Sequence, residues 1–241
     1  MSKTIDLLSD DPKEVIEIKS LMFAPDNFKK GPSVYFHQKA IECARNDKEF
    51  LGVRHMEYIY ATLVSWGMHR MGPKGAKMPA FKPTFIGEPN FSDSILKYEK
   101  FFRRWKGVSI ETISQTEFED FLRELTTVCF EIQATTLDSR LVSSSKTLAH
   151  ILPDLVPPID RQYTLQFFYG TKSHPINDNK YGEEVFKKVM TAMYNFYQNP
   201  ENVKNATDYL NDKGQKFCDS LPKIFDNIIV NYISKKDKKS K

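Results

Sequence analysis

The chain has 241 residues, enough for a real hydrophobic core, arranged as one helical domain or two small lobes. Its 40% hydrophobic and 27% charged content is that of a globular protein, and 18 Phe with 11 Tyr supply large side chains to bury, which excludes wholesale disorder. The net charge of +4 permits an anionic partner without demanding one, and five of the basic residues lie in the tail Lys235–Lys241.

The predicted elements in chain order are helical throughout. Met1–Asp6 has no apolar signal-peptide core, and no apolar run approaches the roughly 20 residues of a membrane span. Asp11-Pro12 opens a first short helix. Ser33 is placed to cap a helix to about Asn46, and Met56, Ile59, Tyr60, Leu63 and Val64 set a helical period from Val53 to Trp66. Gly67 stops it. Residues 67–91 hold four glycines and four prolines, a density no helix tolerates, and form the candidate lobe seam.

Helices resume with Ser92 as cap, followed by Ile95, Leu96, Tyr98, Phe101, Phe102 and Trp105. Ser114–Glu117 precedes the next, with Phe118, Phe121, Leu122, Leu125, Val128 and Cys129 along one face. Leu137–Leu152 and Ile159–Phe168 form a pair joined by a proline turn. A helix from Gly182 to Tyr197 and a last one from Leu221 to Ile233 complete the series. The expected fold is all-α, an irregular multi-helix bundle over residues 1–234, with 235–241 a disordered basic tail.

Cys43, Cys129 and Cys218 show no CxxC pairing, which argues against structural zinc or a disulfide framework and makes the cytoplasm the default address. His37, His55, His69, His150 and His174 lack paired metal spacing, and His37, after Tyr35-Phe36, reads as a core or capping residue. No metal site and no cofactor motif is expected.

The most distinctive stretch runs from Leu141 to Tyr163, LVSSSKTLAHILPDLVPPIDRQY. Lys146 and His150 are four apart and share a helix face. Asp160 follows a Pro-Pro-Ile turn, where a carboxylate caps the next helix. A desolvated lysine can act as nucleophile or base, and a fixed carboxylate can accept a proton or stabilise a cation. The plainer reading makes Asp160 only a cap and Lys146 a surface lysine.

A serine-rich turn, a lysine, a helix and then Pro-Ile-Asp opening another helix resembles the helix-hairpin-helix DNA glycosylase superfamily. The resemblance covers about 30 residues, 141–169. It implies base flipping and attack at the sugar C1′, with Lys146 as Schiff-base nucleophile and Asp160 as catalytic carboxylate. Val142 and Ser144 stand where the family carries its two hairpin glycines, and Ser144 would then face a DNA phosphate. The Lys-to-Asp interval of fourteen residues is shorter than that family's. The segment is also similar to one in small prokaryotic proteins without assigned activity.

A second candidate is the stretch Trp66–Lys77, whose glycines and basic residues suit a nucleic-acid backbone. It is not a P-loop, because Pro73 replaces the required lysine. Arg70, Lys74, Lys77 and Arg161 are the expected phosphate contacts, and Lys100, Arg103, Arg104 and Lys106 could extend that surface. The two functional expectations are a DNA-interacting protein of glycosylase type, its activity retained, altered or lost, and a non-enzymatic helical module that binds another protein.

Overall fold

The computed structural model describes residues 32–68, 78–82, 90–137, 139–173, 176, 179–211 and 218–239. It is all-α. Among the described residues there are ten α-helices and one π-helical turn, and the only β feature is an isolated bridge between Ala80 and Asn90. The expected helix at Asp11-Pro12 lies outside the described residues, as do Arg70, Lys74, Lys77, His69 and His174. No helix among the described residues is long and apolar enough to cross a membrane.

Helix α1 (Pro32–Arg45) begins on a proline, whose missing N–H costs nothing there, and buries His37, Ala40, Ile41, Cys43 and Ala44. A tight turn carries Leu51 at a φ of 58° and leads into α2 (Val53–Ser65), which lies along α1 and buries His55, Met56, Ile59, Thr62 and Leu63. Gly67 ends this unit at a φ of 79°, a conformation that favours glycine.

The single helix expected after residue 92 is two, α3 (Phe91–Leu96) and α4 (Glu99–Trp105). Its cap is Asn90, not Ser92: the Asn90 Oδ1 accepts from the Asp93 N–H at 2.8 Å, while Ser92 is buried within the first turn. Helix α5 (Gln115–Glu131) opens with a capping box, in which Ser114 and Glu117 satisfy one another's backbone N–H groups.

Helix α6 (Leu141–Ile151) lies against α1, α2, α5 and α8 (Asn179–Tyr197), and this central position explains its near-complete burial. Residues 155–159 are buried too and lead into the π-helical turn Arg161–Leu165, which continues as α7 (Gln166–Tyr169). Helix α9 (Pro200–Leu210) was not expected from the sequence, although Asn199-Pro200-Glu201 is a helix start: the Asn199 side chain accepts from the Glu201 N–H at 2.9 Å. Helix α10 (Leu221–Lys239) starts where expected, and its backbone runs past the expected end at Ile233.

One hydrophobic cluster extends from Ala40 to Ile229 and includes Phe102, Phe121, Phe186, Met190 and Tyr197. The aromatic side chains of α4 and α8 are core: Phe101, Phe102, Trp105, Tyr194 and Tyr197 are buried, and Phe118 stacks on Tyr194 with centroids 4.1 Å apart. Burial of each such side chain contributes about 1.5–3 kcal/mol before chain entropy is subtracted.

Candidate functional site

The serine run is part of the helix α6 and not a turn ahead of it. Serine is tolerated there because its hydroxyl can bond a carbonyl one turn back. Ser143 donates to Arg140 O at 3.1 Å, Ser145 to Val142 O at 3.2 Å and Thr147 to Ser143 O at 2.9 Å. These small side chains let α6 sit in the middle of the bundle. Ser144 is fully buried and its hydroxyl has no hydrogen-bond partner, so it cannot reach a DNA phosphate.

Every residue of α6 is buried except Lys146, which is half-buried. Its Nζ stands 5.4 Å from the ring centroid of Trp66, the residue that closes α2 at the base of the 67–91 stretch. No hydrogen bond or ion pair joins that Nζ to another described residue. Burial pulls the ammonium below the ordinary lysine range, opposed by the charges of Asp160 and Asp226 and reinforced by that of Lys223.

Asp160 is held in place by the turn it starts. Its Oδ1 accepts from the Tyr163 N–H at 2.7 Å, and its own N–H donates to Thr164 Oγ1 at 3.1 Å. One residue earlier, the Ile159 N–H donates to Ser145 Oγ at 3.2 Å, which ties the proline segment to α6 beside Lys146. The Asp160 charge acts on the Lys146 amine, and in that electrostatic sense the two belong to one charge cluster. Arg161, next along, is half-buried, and burial pulls its guanidinium below the usual range.

The same cluster includes two residues that sequence reasoning passed over. Lys223 and Asp226, in the first turns of α10, form an ion pair of 2.5 Å with side-chain exposures of 9% and 8%. Burial pushes the Asp226 carboxyl up, while Lys223 draws it down and Asp160 pushes it up again. In sequence this pair looks like an ordinary i,i+3 surface contact. Only the packing of α10 on the π turn reveals it.

A histidine chain runs beneath Lys146. The Lys146 carbonyl accepts from His150 Nδ1 at 2.6 Å, His150 Nε2 meets His37 Nδ1 at 2.9 Å, and His37 Nε2 meets Asp219 Oδ2 at 2.7 Å. A carbonyl can only accept, so His150 carries its hydrogen on Nδ1 and must accept on Nε2 from His37. His37 Nε2 then faces a carboxylate oxygen across a further proton that the His37–Asp219 pair shares. Burial raises the Asp219 carboxyl, but the His37 hydrogen bond and charge, with Lys223 and Arg45, outweigh it and hold it below the usual range.

His55 closes the network, accepting from the Leu51 N–H at 3.1 Å and donating to the His150 carbonyl at 3.0 Å. Burial lowers His55 to about 4. Burial and the neighbouring His37 lower His150 to about 3, so both rings are neutral near pH 7. His37 is indeed a core residue, and it also links α6 to the segment before α10.

No family model, curated protein or solved structure matches this chain.

Arg103 pairs with Glu99 at 2.7 Å, Arg104 with Glu124 at 2.5 Å, and Lys106 with Asp47. Three of the four basic residues around Trp105 thus have acidic partners, which blunts that patch as an anion surface. Among the described residues no group of three or more His, Cys, Asp or Glu is placed to hold a metal ion.

Proposed function

We propose that this chain is a DNA-interacting protein of helix-hairpin-helix glycosylase type, with Lys146 as nucleophile and Asp160 as its carboxylate partner. The observation that carries this reading is the state of Lys146: a half-buried amine whose proton is loosened by burial, in one cluster with a carboxylate fixed by its own turn. A neutral amine has the lone pair that attack requires. It would add to C1′ of a nucleotide drawn out of the stack, and the bond to the base would break with its electron pair leaving on the base, which takes up a proton. Asp160 would stabilise positive charge at C1′. The C1′–O4′ bond then opens, its electron pair and a proton going to O4′, and the C=N bond to Lys146 that results is reducible. The Trp66 ring, beside the Lys146 amine, offers a face on which a base could stack.

Borohydride trapping tests this reading. Incubated with an abasic duplex and sodium borohydride, the wild-type chain should form a covalent adduct on a denaturing gel, and Lys146→Ala should form none. Absence of an adduct from the wild type overturns the enzymatic reading.

A second reading is favoured by the burial of Ser144 and the internal pairing of Arg103, Arg104 and Lys106. On it the chain is a helical module that binds another protein. Fluorescence anisotropy on intact and abasic duplexes across a salt series separates the two. A preference for the abasic duplex that survives rising salt supports a specific pocket. Equal loss on both duplexes leaves only non-specific charge attraction, and the protein-binding reading leads.

A further inference from the structure

Three distances fix how many protons the histidine chain holds. The Lys146 carbonyl can only accept, so His150 Nδ1 carries a hydrogen across 2.6 Å. His150 Nε2 and His37 Nδ1 stand 2.9 Å apart, with one hydrogen between them. His37 Nε2 and Asp219 Oδ2 stand 2.7 Å apart and need another, since neither a bare ring nitrogen nor a carboxylate oxygen can donate. Three contacts thus hold three protons, whereas two neutral imidazoles and an ionised carboxylate supply only two. The inner end is sealed, with His37 and His150 at 3% and 1% exposure. The outer end meets solvent: the Asp219 side chain is 21% exposed and lines an open groove of about 700 Å³ beside Gln38 and Glu42 of α1. The other Asp219 oxygen, Oδ1, is buried without a hydrogen-bond partner among the described residues, so the contact with His37 is what satisfies this carboxylate.

We propose that Asp219, His37 and His150 form a proton-held clasp, which fastens the segment before α10 to α1 and α6 with one proton more than two neutral imidazoles and a carboxylate carry, and which lets go as pH rises. It stands apart from the glycosylase reading. The added proton rests on His37, an imidazolium between His150 Nε2 and the Asp219 carboxylate, the arrangement that a carboxyl held below its usual range favours. Among the described residues, the charged and titratable groups facing the chain come from three helices. Arg45 of α1 donates to the Asp219 carbonyl at 2.5 Å, His55 of α2 donates to the His150 carbonyl at 3.0 Å, and the charge of Lys223 in α10 acts on Asp219. The Trp66 ring covers both imidazoles, with centroids 6.0 Å from His37 and 5.2 Å from His150. Loss of the proton leaves two acceptors facing each other at 2.7 Å with no space for water between them, and the Asp219 side chain then turns out toward the groove. The backbone beside it stays tied by Arg45 and by the Tyr197 hydroxyl on the Leu221 carbonyl, so the clasp opens without unseating α10.

Nitrogen-15 NMR of the histidine rings in the full chain, at about pH 7.5, counts the protons. His37 and His150 should together show three protonated ring nitrogens, two of them on His37. In Asp219→Asn they should show two, because the amide itself donates to His37 Nε2 and no added proton is needed. Two in the wild type overturn the clasp. Urea unfolding from pH 7 to pH 8.5 reads its effect on stability. Above about pH 6.5 the unfolded chain has shed the proton that the folded chain keeps, so stability falls as pH rises until the clasp lets go. Over that range the wild-type folding constant should drop by up to about tenfold per pH unit relative to that of Asp219→Asn. Lysines, thiols and His55 are common to both proteins and cancel in the comparison. Parallel pH profiles overturn the proposal as well. Should the variant fail to fold, the ring count in the wild type still decides.

Discussion

Stability should fall steeply in mild acid, and His55 should carry about half of the fall. His55 and His150 are 0% and 1% exposed, and their neutral forms hold the network together. Burial lowers them to about 4 and about 3. In the unfolded chain both titrate near 6.5, so below that pH the unfolded state binds protons that the folded state refuses. The stability is fully present above about pH 6.5 and is lost as pH falls, until the folded rings themselves titrate. Each ring contributes a slope of about 1.4 kcal/mol per pH unit, so the pair removes on the order of 4 kcal/mol by pH 5. That is a large part of a typical 5–15 kcal/mol.

Urea unfolding followed by circular dichroism from pH 8 to pH 5 measures this, with His55→Gln as the comparison. The variant leaves the Leu51 N–H short of an acceptor and should be about 1–3 kcal/mol less stable near neutrality. Its slope with pH should nevertheless be about half that of the wild type. Asp219, held low, loses its contribution only in stronger acid, and Asp226, pushed up, works in the opposite direction. Both are present in each protein and cancel in the difference. Equal slopes for wild type and variant would refute the reasoning.

Other substitutions have readable signs. Ser114→Ala removes the capping box of α5 and should cost about 1 kcal/mol in a urea titration. Gly182→Ala should destabilise despite the better helix propensity of alanine, because the new Cβ would come within 2.9 Å of Phe130 Cε1. In a Phe130→Ala background the same change should instead stabilise by about 1 kcal/mol, and a gain in the wild-type background would refute the packing argument. Tyr197→Phe strips the hydroxyl that donates to the Leu221 carbonyl at 2.6 Å and should cost about 1–3 kcal/mol with the helical content unchanged.

The all-helical architecture was legible because apolar residues recur at helical spacing, as in Met56, Ile59 and Leu63 or Phe118, Phe121 and Leu125, and all of these are core. Boundaries were harder to read. Ser92 and Asn90 are both good caps, and only burial of Ser92 inside the first turn decides between them. The serines of α6 have turn chemistry in isolation, and tertiary packing overrides it. Within the candidate site, the place of Lys146 on a helix and that of Asp160 as the cap of the next turn were legible, because both follow from local sequence. The roles of His37, Asp219, Lys223 and Asp226 were not: His37 meets His150 from α1, Asp219 meets His37 from near the other end of the chain, Lys223 and Asp226 pair within α10, and each looks locally like an ordinary core or surface residue.

The π-helical turn at Arg161–Leu165 has a consequence for how this chain can change. A π turn amounts to one residue more than an α-helix needs over the same path. Each residue in a helix advances the side chains by about 100°. Deleting one residue between Asp160 and Gln166 would give a more regular helix, yet it would swing Leu165 and Phe168, which are buried, away from the core. Keeping those two in place would instead turn Asp160 away from Lys146. The core and the charge cluster thus share one reading frame, and a shorter version of this segment could satisfy one of them but not both.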